Sequence, residues 1–206
     1  MSRQPILSRV LSLILILLTA VGLCACGKEP ARDPYDYEET AERFIEAYYL
    51  RDYATRFSLT FYDARRQWED NAIKDTGSEE AFFATVQQQA DEKGIDVTVD
   101  SFDSYYAAYH QFVLQDCQKM YGNYTVTTRA TDSKKLEGET LDEFRRAQLG
   151  AIDANYVDAD AFNAVTEAYT VTVNIRIDGD KNTYDENYLV HLVQHDGRWL
   201  VVSHSI

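Results

Sequence analysis

The chain changes its hydrophobic period near its midpoint. From Tyr37 to Leu50 the apolar residues Ala41, Phe44, Ile45, Tyr48 and Tyr49 fall on one face at helical spacing, with Glu38, Glu39, Glu42 and Arg43 largely elsewhere. After a break near Arg51-Asp52, the residues Tyr53, Phe57, Phe61, Ala64, Trp68 and Ala72 continue at the same spacing and predict a second helical segment, ended by Thr76-Gly77-Ser78. Ser78 is placed to cap a third helix running toward Lys93, and Gly94 to stop it. Asp96 to Ser101 reads as a connector. Phe102, Tyr105, Tyr106, Tyr109, Phe112, Val113, Cys117 and Met120 then form the stripe of a fourth helix closed by Gly122.

Beyond Gly122 the period becomes two. Tyr124 to Thr128 alternates and is rich in β-branched residues, which predicts a strand. Leu136 to Ile152 carries Leu141, Phe144 and Leu149 and reads as a helical insertion, with a further turn or two over Asp158 to Thr166. Three strands follow. Tyr169 to Ile177 alternates strictly, which gives one buried and one wet face. A loop over Asp178–Asp185 leads to Tyr188–Gln194, and Asp196-Gly197 joins that strand to Trp199–Ser203. Asp-Gly between two alternating runs is a two-residue hairpin signal. The expected class is α+β, with N-terminal amphipathic helices packed on an antiparallel sheet of about four strands.

The first 25 residues follow neither period. Arg3 and Arg9 precede the run VLSLILILL at Val10–Leu18, no acidic residue is present, and small residues follow. This is the make-up of an export signal, and the run is shorter than the roughly 20 residues a transmembrane helix needs. An anchor helix is the second reading. The segment ends in Leu23-Cys24-Ala25-Cys26-Gly27, which resembles the bacterial lipobox: Leu three before the cysteine, a small residue just before it, then the cysteine. That register selects Cys26 for lipidation, since choosing Cys24 would put bulky Leu23 at the cleavage point. A metal or redox pair is the rival reading, but no other His or Cys lies nearby in sequence. The resemblance implies a diacylglyceryl group on Cys26 and a mature chain held on the outer face of the bacterial cytoplasmic membrane, in the cell envelope. Two acyl chains suffice for stable anchoring. Residues 26–36, with Pro30 and Pro34, read as tether and linker, and residues 37–206 as one domain.

Charge narrows the partners. The whole chain has 20 basic and 34 acidic residues. Without residues 1–25 it keeps 18 basic against 34 acidic ones, a net −16, with no basic block. Nucleic acid and anionic lipid surfaces both need clustered Lys or Arg, so neither is expected as an electrostatic partner. Cys117 is the one cysteine left after the lipidated one. It allows no internal disulfide, so stability must come from an apolar core.

Amphipathic helices followed by strands that end in His195-Asp196-Gly197-Arg198-Trp199-Leu200-Val201-Val202 resemble the nuclear transport factor 2-like (cystatin-like) superfamily. More narrowly, the order resembles Gram-positive lipoproteins of that superfamily. An opening helix like AERFIEAYYLRD leads to a strand and small helix like YTVTTRATDSKKLEGETLDEF, and two long strands close the domain. The resemblance covers about Tyr37 to Ile206. It implies a curved sheet, helices in its concave face, a pocket between them and, often, a homodimer. It implies no single activity.

Candidate chemistry is sparse. No phosphate loop, nucleophile elbow, HExxH or paired CxxC is present. Asp178-Gly179-Asp180-Lys181-Asn182 opens like a calcium loop but has Thr183 and Leu189 where Gly and Glu belong, so a hairpin loop fits better. Asp153, Asn155, Asp158 and Asp160 read as caps and surface, with weak cation binding the alternative. Straight pairing through the Asp196-Gly197 turn puts His191 opposite Val202 and Leu189 opposite His204. The two histidines then become diagonal neighbours on one face, candidates for metal binding or proton transfer, or merely two partly exposed imidazoles. Tyr105 and Tyr109 are candidate ligand contacts. No metal and no cofactor is expected. The leading reading is a non-enzymatic, membrane-tethered binding module for a small ligand or an envelope protein. A proton-transferring or hydrolytic pocket enzyme and a dimeric envelope scaffold are the alternatives. Apolar residues on both sides of the last hairpin require a cover on each face, from a dimer partner or from the same chain.

Overall fold

The computed structural model describes residues 35–206, apart from the side chain of Phe162. The proposed signal, Cys26 and most of the linker lie outside the described residues. The described residues belong to one compact unit. Five helices come first: α1 (Tyr37–Leu50), α2 (Tyr53–Ser58), α3 (Ala64–Thr76), α4 (Glu79–Lys93) and α5 (Phe102–Tyr121). Strand β1 (Tyr124–Leu136) follows, then α6 (Glu139–Ala147), a 3₁₀ turn (Leu149–Ala151) and α7 (Ala159–Ala164). Strands β2 (Ala168–Gly179), β3 (Thr183–His195) and β4 (Arg198–Ser205) complete an antiparallel sheet in the order β1-β2-β3-β4. The expected α+β class is what the chain adopts. No described helix is long and apolar enough to cross a membrane.

Local chemistry explains the helix limits. Asp36, Asp52, Asp63, Ser78 and Ser101 each accept a hydrogen bond from a backbone N–H of the first turn of α1 to α5 in turn. These caps satisfy donors that would otherwise be orphaned, each contributing about 1 kcal/mol. The predicted second segment is two helices rather than one. Leu59–Phe61 breaks it because it runs beside β4: the Phe61 N–H donates to Val201 O (2.9 Å) and the Val201 N–H donates to Leu59 O (2.7 Å).

The sheet has two unlike faces. Helix α1 lays Ala41, Phe44 and Ile45 against Val171, Val173, Ile175, Tyr188, Val190, Leu192, Trp199 and Val201. The other face of the last hairpin carries Val193, Leu200 and Val202, which pack with Phe144, Leu149 and Val165 of the insertion after β1. The second apolar face is therefore covered by the same chain, while Leu189, further along β3, stays open at 37% exposure.

Strand β1 extends eight residues past the predicted Thr128, through a polar stretch with a bulge between Ala130 and Asp132. Its free rim is served by α1: the Ala130 N–H donates to Glu42 Oε1 (2.7 Å), and the Ser133 hydroxyl donates to Glu38 Oε1 (2.8 Å). The turn between β3 and β4 is the predicted one. Asp196 (φ 50°) and Gly197 (φ 75°) are both left-handed, as a type I′ turn requires.

A second bulge changes the histidines. Pairing is straight from His195↔Arg198 to Leu192↔Val201, then shifts so that His191 faces Ser203 and Val190 faces His204. The extra residue is Val202, and it corrects the straight register. A single unpaired residue turns everything after it to the opposite face.

Candidate functional site

His191 and His204 are on opposite faces and form no pair. On the insertion side, the His191 Nδ1 is 2.9 Å from Thr170 Oγ1 and its ring lies 5.8 Å from that of Phe144. Burial pulls its pKa below the usual imidazole range. On the α1 side, His204 packs edge-on to Tyr48 (4.2 Å) and Phe44 (5.2 Å). Its pKa falls to about 4, chiefly through burial and further through the charges of Arg56 and Arg51. Among the described residues, no three His, Cys, Asp or Glu side chains converge as metal ligands.

Tyr105 and Tyr109, one turn apart on α5, have different fates. Tyr105 is 5% exposed and stacks on Trp68 at 4.9 Å and 19°. It belongs to a closed aromatic cluster with Tyr53, Phe83 and Tyr106. Tyr109 lines a cleft of about 360 Å³, together with Tyr48, Tyr49, Arg51, Val113, Asp116, Cys117, Met120, Tyr121 and Tyr188. Five of these ten residues are tyrosines.

Three elements build the cleft. The end of α1 supplies Tyr48, Tyr49 and, one residue beyond, Arg51. Helix α5 supplies Tyr109, Val113, Asp116, Cys117, Met120 and Tyr121, and β3 supplies Tyr188. The Tyr49 and Tyr121 hydroxyls bond to each other at 3.0 Å, and the Tyr184 and Tyr188 hydroxyls at 3.4 Å. Burial, followed by the bonded partner hydroxyl, raises the pKa of Tyr49 and of Tyr184. Cys117 is buried, and its thiol is pushed up first by that burial and then by Asp116, so it is a poor nucleophile. Met120, 53% exposed, gives the rim an adaptable apolar edge.

Gly179 makes the α5 wall possible. A Cβ there would overlap the backbone oxygen and Cβ of Tyr121. The β2–β3 loop docks onto the same helix end: the Lys181 N–H donates to Tyr121 O (3.0 Å) and the Asp180 N–H to Asn123 O (3.1 Å). The run that opens like a calcium loop is therefore a hairpin loop seated on α5.

A second cleft of about 410 Å³ is lined by Arg43, Glu46, Ala47, Leu50, Asp52, Thr55 and His110. Two of its polar groups, Asp52 and His110, already have structural work, while the buried Arg43 Nε has no hydrogen-bond partner. Asp52 caps α2, and the His110 Nδ1 lies 2.7 Å from Leu50 O, joining α5 to the end of α1. We therefore take the tyrosine cleft as the candidate site. Sequence periodicity finds Tyr109 but not Tyr48, Tyr49, Tyr121 or Tyr188 as lining residues, and Arg51 reads only as a helix break.

No protein-family model, curated protein or solved structure matches the chain.

Proposed function

We propose that the chain is an extracytoplasmic lipoprotein, tethered to a bacterial membrane through Cys26, whose nuclear transport factor 2-like domain binds a small ligand without turning it over. The tyrosine cleft carries this reading. Its volume falls in the range of small-molecule sites, and tyrosine combines broad apolar area with a hydrogen-bonding tip. The address rests on the LCACG sequence after the apolar run. The superfamily reading is supported by the order of elements, with an opening amphipathic helix packed across all four strands. A catalytic reading loses its motive, because the two histidines that would share a proton or a metal face away from each other.

Two measurements test the proposal. Metabolic labelling with a tagged fatty acid should mark the wild-type chain and not Cys26→Ala; equal labelling of both refutes the tether. Native mass spectrometry of residues 27–206 should show a bound small mass that Tyr109→Ala loses. The same spectrum reads monomer or dimer. Turnover of a retained compound by the purified chain would overturn the non-enzymatic assignment.

A further inference from the structure

The tyrosine cleft holds a charge arrangement that its apolar lining does not require. Three nitrogen-bearing side chains surround the ring of Tyr48. The Arg51 guanidinium lies 5.0 Å from the ring centroid, the Arg56 guanidinium 5.2 Å, and the His204 ring 4.2 Å. Neither arginine makes an ion pair with any described residue. Burial lowers the Arg56 pKa, and the charge of Arg51 adds to that effect. Two guanidinium groups brought within about 10 Å around one ring, neither of them ion-paired, form an electropositive corner in a chain of net charge −14. The cleft's one acid does not cancel it, because Asp116 is already held by Lys93 Nζ (3.0 Å) and Lys119 Nζ (3.7 Å).

We infer that the ligand of this cleft is a small organic anion, its carboxylate or phosphate met by Arg51 at the Tyr48 wall, with the Arg56 charge on the same ring reinforcing it from outside the cleft lining, and its apolar body laid against Tyr109, Val113 and Met120. The inference rests on reading the tyrosine cleft as the ligand site. The chemistry supports the division of labour. Arginine is the side chain suited to planar, two-point recognition of carboxylate and phosphate. Cation–π contact with Tyr48 holds the guanidinium groups in place before the anion arrives. The α5 wall offers aromatic and thioether surface but no free cation, since Lys119 and Lys93 share Asp116.

The test titrates the chain beginning at Gly27, which contains the whole compact unit, with octanoate, octyl phosphate and neutral octanol by calorimetry. The two anions should bind at least tenfold more tightly than octanol. Arg51→Asn should cost octanoate at least tenfold and leave octanol within twofold. Asparagine tolerates the left-handed backbone that Arg51 adopts at φ 57°, so the substitution spares the helix end. Arg56→Gln, outside that strained position, is the second variant and should act in the same direction. The His204 imidazole, followed by NMR, should titrate at higher pH with octanoate bound, and Arg51→Asn should reduce that shift. Phosphatidylglycerol vesicles separate the sources of such an anion. Co-sedimentation that Arg51→Asn abolishes assigns a lipid headgroup; octanoate binding without sedimentation assigns a free acid. Octanol binding as tightly as octanoate, or an unaffected Arg51→Asn, overturns the anion site and leaves the cleft standing. Failure of all three probes, with Tyr109→Ala unchanged in every titration, removes the cleft reading as well.

Discussion

Two aromatic regions meet on α5, and they are put to opposite uses. In the first, Tyr105 and Tyr106 join Trp68, Phe82, Phe83 and Phe102 in a web of stacked and edge-on rings. Its polar tips are tied off internally, as where the Tyr106 hydroxyl donates to Glu69 at 3.1 Å. In the second, Tyr49 bonds to Tyr121 and Tyr184 to Tyr188, and Tyr49, Tyr121 and Tyr188 stand around a cleft instead of filling one. Aromatic content alone therefore says little about binding. What separates the regions is whether another element closes over the rings. Helices α3 and α4 close the first, whereas the second lies between the end of α1 and the last turns of α5.

Breaking the closed region should cost the most. Tyr105→Ala removes a buried ring from a packed cluster and should lower stability by about 3–5 kcal/mol in a denaturant melt. Tyr109→Ala should lower it by less than about half of that and abolish ligand retention. Equal losses at the two positions would erase the distinction.

The next largest effect belongs to His204 at the open region. Its folded pKa of about 4 lies below the ordinary 6.5, because burial and then Arg56 and Arg51 disfavour the imidazolium; Tyr48 and Phe44 complete its surroundings. Unfolding therefore takes up a proton between those values. Its contribution is fully present above pH 6.5, declines as pH falls toward 4, and is flat below, a loss of roughly 2–3 kcal/mol. His204→Gln should remove that part of the pH profile, and an imidazole titrating near 6.5 in the native chain would contradict it.

Gly179→Ala sharpens the comparison from the sheet side. The added methyl meets the Tyr121 backbone, so the β2–β3 loop or the end of α5 must shift. The expected cost is about 1–3 kcal/mol, with ligand retention reduced because Tyr121 lines the cleft. The smallest effect is Tyr49→Phe, which breaks the bond to the Tyr121 hydroxyl and should cost about 1 kcal/mol by thermal melting.

Helices were legible through their apolar period and, at the start of α4, through Ser78, a short-range cap that tertiary packing did not override. The Asp196-Gly197 turn was legible for the same reason. Strand β1 was only half visible. Its second half, Arg129 to Leu136, is polar because one face is exposed and its rim is satisfied by Glu38 and Glu42, which lie some 90 residues earlier. The Val202 bulge left no trace, since Leu200, Val201 and Val202 are alike in character and either register buries them. The cleft was half legible. Tyr105 and Tyr109 share a period, and only the placement of α3 and α4 decides which is enclosed. Arg51 and Arg56 carry no sequence signal, because an arginine just after a helix or within a short one usually reads as surface.

The Leu59–Phe61 clamp on β4 also dictates an order of assembly. It joins Leu59–Phe61 to a strand made well over a hundred residues later, and the Arg198 guanidinium reaches back to Ser58 O, 140 residues away. Helix α1 likewise needs Trp199 and Val201 to bury its apolar face. No N-terminal portion that lacks β4 can complete its core. Contacts of such long range are slow to form. A chain emerging from the ribosome thus stays open until β4 appears.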